Sequence, residues 1–64
     1  MEEYDAAIYT RALSALGKLH EMQQQKNEAI QCYEKCLEIR LETLGKDHES
    51  TVLVKDRLMK LIDG

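Results

Sequence analysis

Cys32 and Cys36 stand at i and i+4, with His20 and His48 elsewhere in the same 64-residue chain. Two thiols at that spacing share one helix face and could supply two ligands to a zinc ion, or form one dithiol switch. A structural zinc site takes four ligands, usually a tight C-x₂₋₄-C pair in a turn and an H-x₃₋₅-H pair. Here the histidines are 28 residues apart. Inert packing thiols are therefore the expectation, with a Cys32/Cys36 thiol or metal switch as the rival from another class. No metal or other cofactor is expected.

His20 alone has the chemistry of a general base, yet no Ser, Cys or carboxylate is spaced to serve it. It falls inside an apolar arc, which favours a hydrogen-bonded core histidine. Glu2, Glu3, Asp5, Glu34, Glu38 and Glu42 form no separated inward pair of the kind acid–base catalysis uses. A solvated face explains them. No glycine-rich loop is present to cradle phosphate, so no catalytic residue is assigned and an enzyme is not expected.

Composition narrows the classes further. Nine Lys and Arg against 12 Asp and Glu give a formal charge of −3, the opposite of a clustered basic nucleic-acid footprint. No apolar run approaches the roughly 20 residues of a membrane span. Residues 1 to 10 carry three acids and no basic segment, so no secretory signal precedes the cysteines. Reduced thiols in a cytoplasmic setting follow as the expectation. A single domain of this length buries only about 60% of its unfolded surface, which leaves it in need of partners.

The elements that must position these residues are helical. Pro is absent, and Glu, Lys, Leu, Gln and Ala dominate. At 100° per residue, Tyr4, Ile8, Tyr9, Ala12, Leu13, Ala15, Leu16, Leu19 and Met22 form one broad arc. Thr10, Arg11, Ser14, Lys18 and Glu21 lie opposite. That arc is wider than the roughly 100° stripe of an ordinary surface helix, so this first helix needs more than one neighbour. A second helix, with Asn27 as a fair N-cap, has Ala29, Ile30, Tyr33, Leu37, Arg40, Leu41 and Leu44 as its main row. Cys32, Cys36 and Ile39 flank that row. Gly45 suits the residue past its end. A third helix, capped by Asp47 or Ser50, carries Val54, Leu58, Leu61 and Ile62 in a narrow stripe. Helices are thus expected over about 3–23, 27–44 and 49–62, as a single unit over 1–64.

Gly17 sits inside the first helix, where Gly costs roughly 1 kcal/mol against Ala. Leu13, Leu16, Gly17 and His20, followed by Ala29 and Tyr33, keep the spacing of the pattern W-x₂-L-G-x₂-Y…A-x₃-F. The chain thereby resembles the tetratricopeptide repeat family. The resemblance implies an all-α helical hairpin plus a C-terminal capping helix, with a small residue at Gly17 so that the two helices of the hairpin approach closely. Cys36 stands where the family places alanine. The stretch YEKCLEIRLETLGKDHESTVLVKDRLMKLI is similar to the repeats of kinesin light chains. On that alignment the next copy starts 42 residues on, pairing Leu16 with Leu58, Gly17 with Met59 and His20 with Ile62. The chain departs from the family pattern at several positions. Gln24 and Lys26 stand where its turn usually has a glycine and a tyrosine, and Glu49 replaces a proline.

The resemblance implies a non-enzymatic protein–protein interaction or scaffold module, acting through helix packing against a partner or against itself. Its alternative is a peptide-groove adaptor of kinesin-light-chain type, in which Arg11, Ser14, Ala15 and Lys18 face the groove. The Lys and Asn set with which some subfamilies grip a C-terminal carboxylate is not reproduced at Ser14, Ala15 and Lys18. Protein or peptide partners are expected, with neither nucleic acid nor membrane. Tyr4, Ile8 and part of the Leu19–Met22 row are expected to stay partly exposed, with a second copy of the chain as the simplest cover.

Overall fold

The computed structural model describes residues 5–64. Among them three helices and no strand are present: α1 (Ala6–Met22), α2 (Lys26–Thr43) and α3 (Glu49–Asp63). The molecule is one helix layer deep, with extents of 38 × 27 × 13 Å. In that layer α2 is the middle helix, packed by α1 on one side and α3 on the other. Both neighbours meet on α2 in a core of Ala29, Tyr33, Cys36, Val54 and Leu58, with Leu13, Ile30, Leu37 and Leu61 packed against it.

The helix ends are built from short-range hydrogen bonds. The Asp5 carboxylate accepts from the backbone N–H groups of Ala7 and Ile8 at the start of α1. α1 closes with the Gln24 N–H donating to Glu21 O at 3.0 Å and the Gln25 N–H donating to His20 O at 2.8 Å. That paired closure places its first donor in the left-handed region, and Gln24 has φ +60°. Gly45 follows α2 with φ +89°, as its position implies. The caps differ from the sequence expectation twice. Gln25, whose side chain makes no capping bond to α2, precedes α2 instead of Asn27. At α3 His48 takes the place of Asp47 or Ser50, its Nδ1 accepting from the Ser50 N–H at 3.0 Å. An imidazole nitrogen at that position does the work of a carboxylate.

Gly17 is buried against the Tyr33 ring. A Cβ added there would stand 2.9 Å from Tyr33 Cε1 and Cζ, closer than real Cβ contacts come. The close approach expected of Gly17 is therefore specific: one aromatic ring fills the volume of the missing side chain.

The burial pattern corrects the expected faces of all three helices. Thr10, placed by periodicity on the polar side of α1, is buried, and Ser14 and Glu21 are half-buried. Beside Leu13, the inward row of α1 is made of small and polar residues because the helices are close. Thr10 satisfies its hydroxyl within the helix, donating toward Ala6 O at 2.8 Å. In α2 the buried row is Ala29, Tyr33, Cys36 and Ile39, while Leu41 and Leu44 are exposed. The seam turns toward the Cys36 flank because α2 must serve two neighbours at once. In α3 Thr51 joins the core and Ile62 lies outside it. The Thr51 hydroxyl donates to Arg40 O at 3.5 Å, which draws that edge of α3 onto α2.

Candidate functional site

Arg11, Ser14, Ala15 and Lys18 fall three or four residues apart along α1, so they share one face. That face borders a hollow of about 310 Å³, which Arg40 of α2 and Arg57 of α3 complete. All four residues expected at a groove are thus gathered in one place. Four of the six lining side chains are cationic and none is acidic. A concavity of one sign focuses the field of its charges, even in a chain of net charge −3.

Two of these cations are held in place. The Arg40 guanidinium donates to Ser50 O at 3.1 Å, tying α2 to the first turn of α3. Arg57 stands beside the Tyr33 hydroxyl, which donates to Glu21 Oε2 at 2.6 Å. Residues from α1, α2 and α3 thus meet at one polar contact behind the groove. Burial, reinforced by the Glu21 carboxylate, pushes the Tyr33 phenol up to about 12, with Arg57 pulling the other way. Tyr33 therefore stays neutral and donates its hydrogen bond throughout the physiological range.

Arg40 and Arg57 were not among the groove residues expected from sequence. Arg40 reads as part of the core row of α2, and its side chain is half-buried. Arg57 carried a legible signal, because the 42-residue offset that pairs Leu16 with Leu58 also pairs Ala15 with Arg57. A second hollow of about 810 Å³ adjoins α3 and includes Leu53, Asp56, Arg57 and Lys60. Those four are the counterparts, at the same offset, of Arg11, Ser14, Ala15 and Lys18. Acids and bases alternate there, with Glu21 and Asp56 beside Lys26 and Lys60, so it lacks a single sign.

The other sequence candidates lie elsewhere. Cys36 is fully buried and its thiol donates to Thr10 O at 3.5 Å. Burial pushes that thiol up, against a smaller opposing effect of the Arg40 charge, which disfavours the reactive thiolate. Cys32 is half-buried and likewise free. No group of three or more His, Cys, Asp or Glu residues converges on a metal-sized position among the described residues. His20 is half-buried, with Nδ1 2.7 Å from the Gln25 side-chain oxygen, and it secures the turn after α1. Ile8 and Met22 are exposed, Leu16 and Leu19 are half in solvent, and Tyr4 lies outside the described residues.

A hairpin closed by a glycine–aromatic contact, with a third helix packed on its second, is the architecture of an all-α helical-repeat fragment. The sequence profile of the tetratricopeptide repeat matches residues 10–50, from the first turns of α1 to the start of α3. The chain belongs to the tetratricopeptide repeat family, whose members are protein-interaction modules. No curated protein and no solved structure matches it significantly. Among the described residues no helix is long and apolar enough to cross a membrane.

Proposed function

We propose that this chain is a non-enzymatic interaction module that receives an acidic peptide segment in the groove between α1 and α3. The observation that carries the reading is the charge of the hollow: Arg11, Lys18, Arg40 and Arg57 around it, with no carboxylate among its lining residues. Guanidinium groups suit this task because their planar forks bind carboxylates in pairs. Electrostatic complementarity of this sort sets specificity and on-rate more than raw affinity.

The test is fluorescence anisotropy with a labelled Asp/Glu-rich peptide, against a Lys/Arg-rich peptide of equal length. The acidic peptide binds, and its affinity falls steeply with salt. Arg11→Glu with Lys18→Glu weakens it by about ten-fold or more, since like charges across an interface repel. Binding that ignores both salt and charge reversal would overturn the reading.

A further inference from the structure

The hollow between α1 and α3 gathers more positive charge than one carboxylate can answer. Arg11, Lys18, Arg40 and Arg57 border it, and no acid does. Among the described residues the ion pair that forms, Lys60 with Asp56 at 3.5 Å, lies outside it. Glu21, which shares the Tyr33 hydroxyl with Arg57, borders the other hollow. Arg11, Lys18 and Arg40 therefore have no carboxylate partner among the described residues.

Ser14 adds a neutral donor at the same place. Thr10 and Thr43 donate their hydroxyls to the carbonyl four residues back, Ala6 O at 2.8 Å and Ile39 O at 2.9 Å. For Ser14 that carbonyl is Thr10 O, which already receives the Cys36 thiol at 3.5 Å. The half-buried Ser14 hydroxyl makes no hydrogen bond to another described residue, and Ser14 lines the hollow. Its cationic neighbours have no acceptor to offer, since Lys and Arg only donate. The acceptor must come from outside the chain.

The ligand that fits such a set is dense in both acceptors and negative charge. A carboxylate brings two oxygens and a single charge. A phosphate monoester brings three acceptor oxygens and about −1.5 to −2 charges at pH 7. Guanidinium forks bind phosphate in pairs, as they bind carboxylate. The carrier is a peptide on grounds of shape and charge. A bilayer is too flat to enter a hollow of about 310 Å³ between helices. A nucleic acid would run its further phosphates over a chain of net charge −3.

We propose that the hollow seats a phosphorylated side chain of a partner peptide, its phosphate held by Arg11, Lys18, Arg40, Arg57 and the Ser14 hydroxyl. This rests on the acidic-peptide reading of the groove and names the anchor of that peptide.

The test uses three labelled peptides of one Asp/Glu-rich sequence that differ at the centre. One carries phosphoserine, one serine, and one a Glu-Glu pair that matches the phosphate in charge. By fluorescence anisotropy the phosphoserine peptide is expected to bind about ten-fold more tightly than the Glu-Glu peptide, as charge-assisted hydrogen bonds to more oxygens imply. Ser14→Ala, a substitution that helices accept, narrows the preference. Arg11→Gln with Lys18→Gln, at exposed positions, removes it while circular dichroism shows the helices unchanged. Equal binding of the phosphoserine and Glu-Glu peptides overturns the phosphate site and leaves the acidic groove standing. If none of the three binds, the acidic groove falls and the phosphate site falls with it. The proposal is also overturned by a preference that survives Arg11→Gln with Lys18→Gln, or by phosphatidylserine vesicles that displace the phosphoserine peptide.

Discussion

The Tyr33 ring occupies the volume that a side chain at Gly17 would need. Two effects therefore oppose one another in Gly17→Ala. Helix propensity favours Ala by roughly 1 kcal/mol, and overpacking costs typically 1–3 kcal/mol. The ring cannot swing aside, because it is fully buried and its hydroxyl is held on Glu21 at 2.6 Å. Gly17→Ala is expected to lower the melting temperature measured by circular dichroism, and Gly17→Leu to lower it further. A Gly17→Ala variant as stable as the parent would remove the close-approach account. The same tyrosine gives the chain a pH dependence. Its phenol titrates near 12 in the folded protein against about 10 unfolded, so the unfolded chain loses the proton first. Stability is fully present below pH 10 and falls as pH rises from about 10 to 12. Tyr33→Phe is expected to abolish that alkaline slope in denaturant titrations, since Phe has no proton to lose.

Between α1 and α2 the chain turns through Gln24 at φ +60°, a region that costs a non-glycine residue roughly 1–2 kcal/mol. Gln24→Gly relieves the strain but adds freedom to the unfolded chain, so a net gain of about 1 kcal/mol is expected in urea titrations. An unchanged or lower midpoint would contradict the strained turn. This element also shows what the sequence made legible. The helices were readable because Leu, Ala and Glu patterns repeat at 3.6 residues, and Gly17 because its spacing to Tyr33 follows a known pattern. The faces were harder. Hydropathy puts Thr10 in water, whereas the close contact with α2 requires a small side chain there, and a back-bonded hydroxyl is small enough. Leu41 and Leu44 read as core because a helix wheel cannot show that α2 is shared between two neighbours. The His48 cap carried no signal, since imidazole nitrogens are uncommon in that role.

At the scale of the molecule, one thin layer of helices has a cationic hollow on one surface and apolar rows at both ends. The α1 half of that hollow was legible, as Arg11, Ser14, Ala15 and Lys18 fall on one helix face. The other half depends on tertiary packing that brings Arg40 and Arg57 across from α2 and α3. Charge and shape are what such a surface offers a partner, and recognition is the role we propose for it. The most direct test is a two-dimensional NMR titration of the isotope-labelled chain with the Asp/Glu-rich peptide. The account predicts that the largest shifts fall on the amides of Arg11, Ser14, Ala15 and Lys18 and on the side-chain resonances of Arg40 and Arg57, with the α2 core unmoved. Shifts centred on the apolar rows at the ends of the layer, with the groove silent, would contradict it.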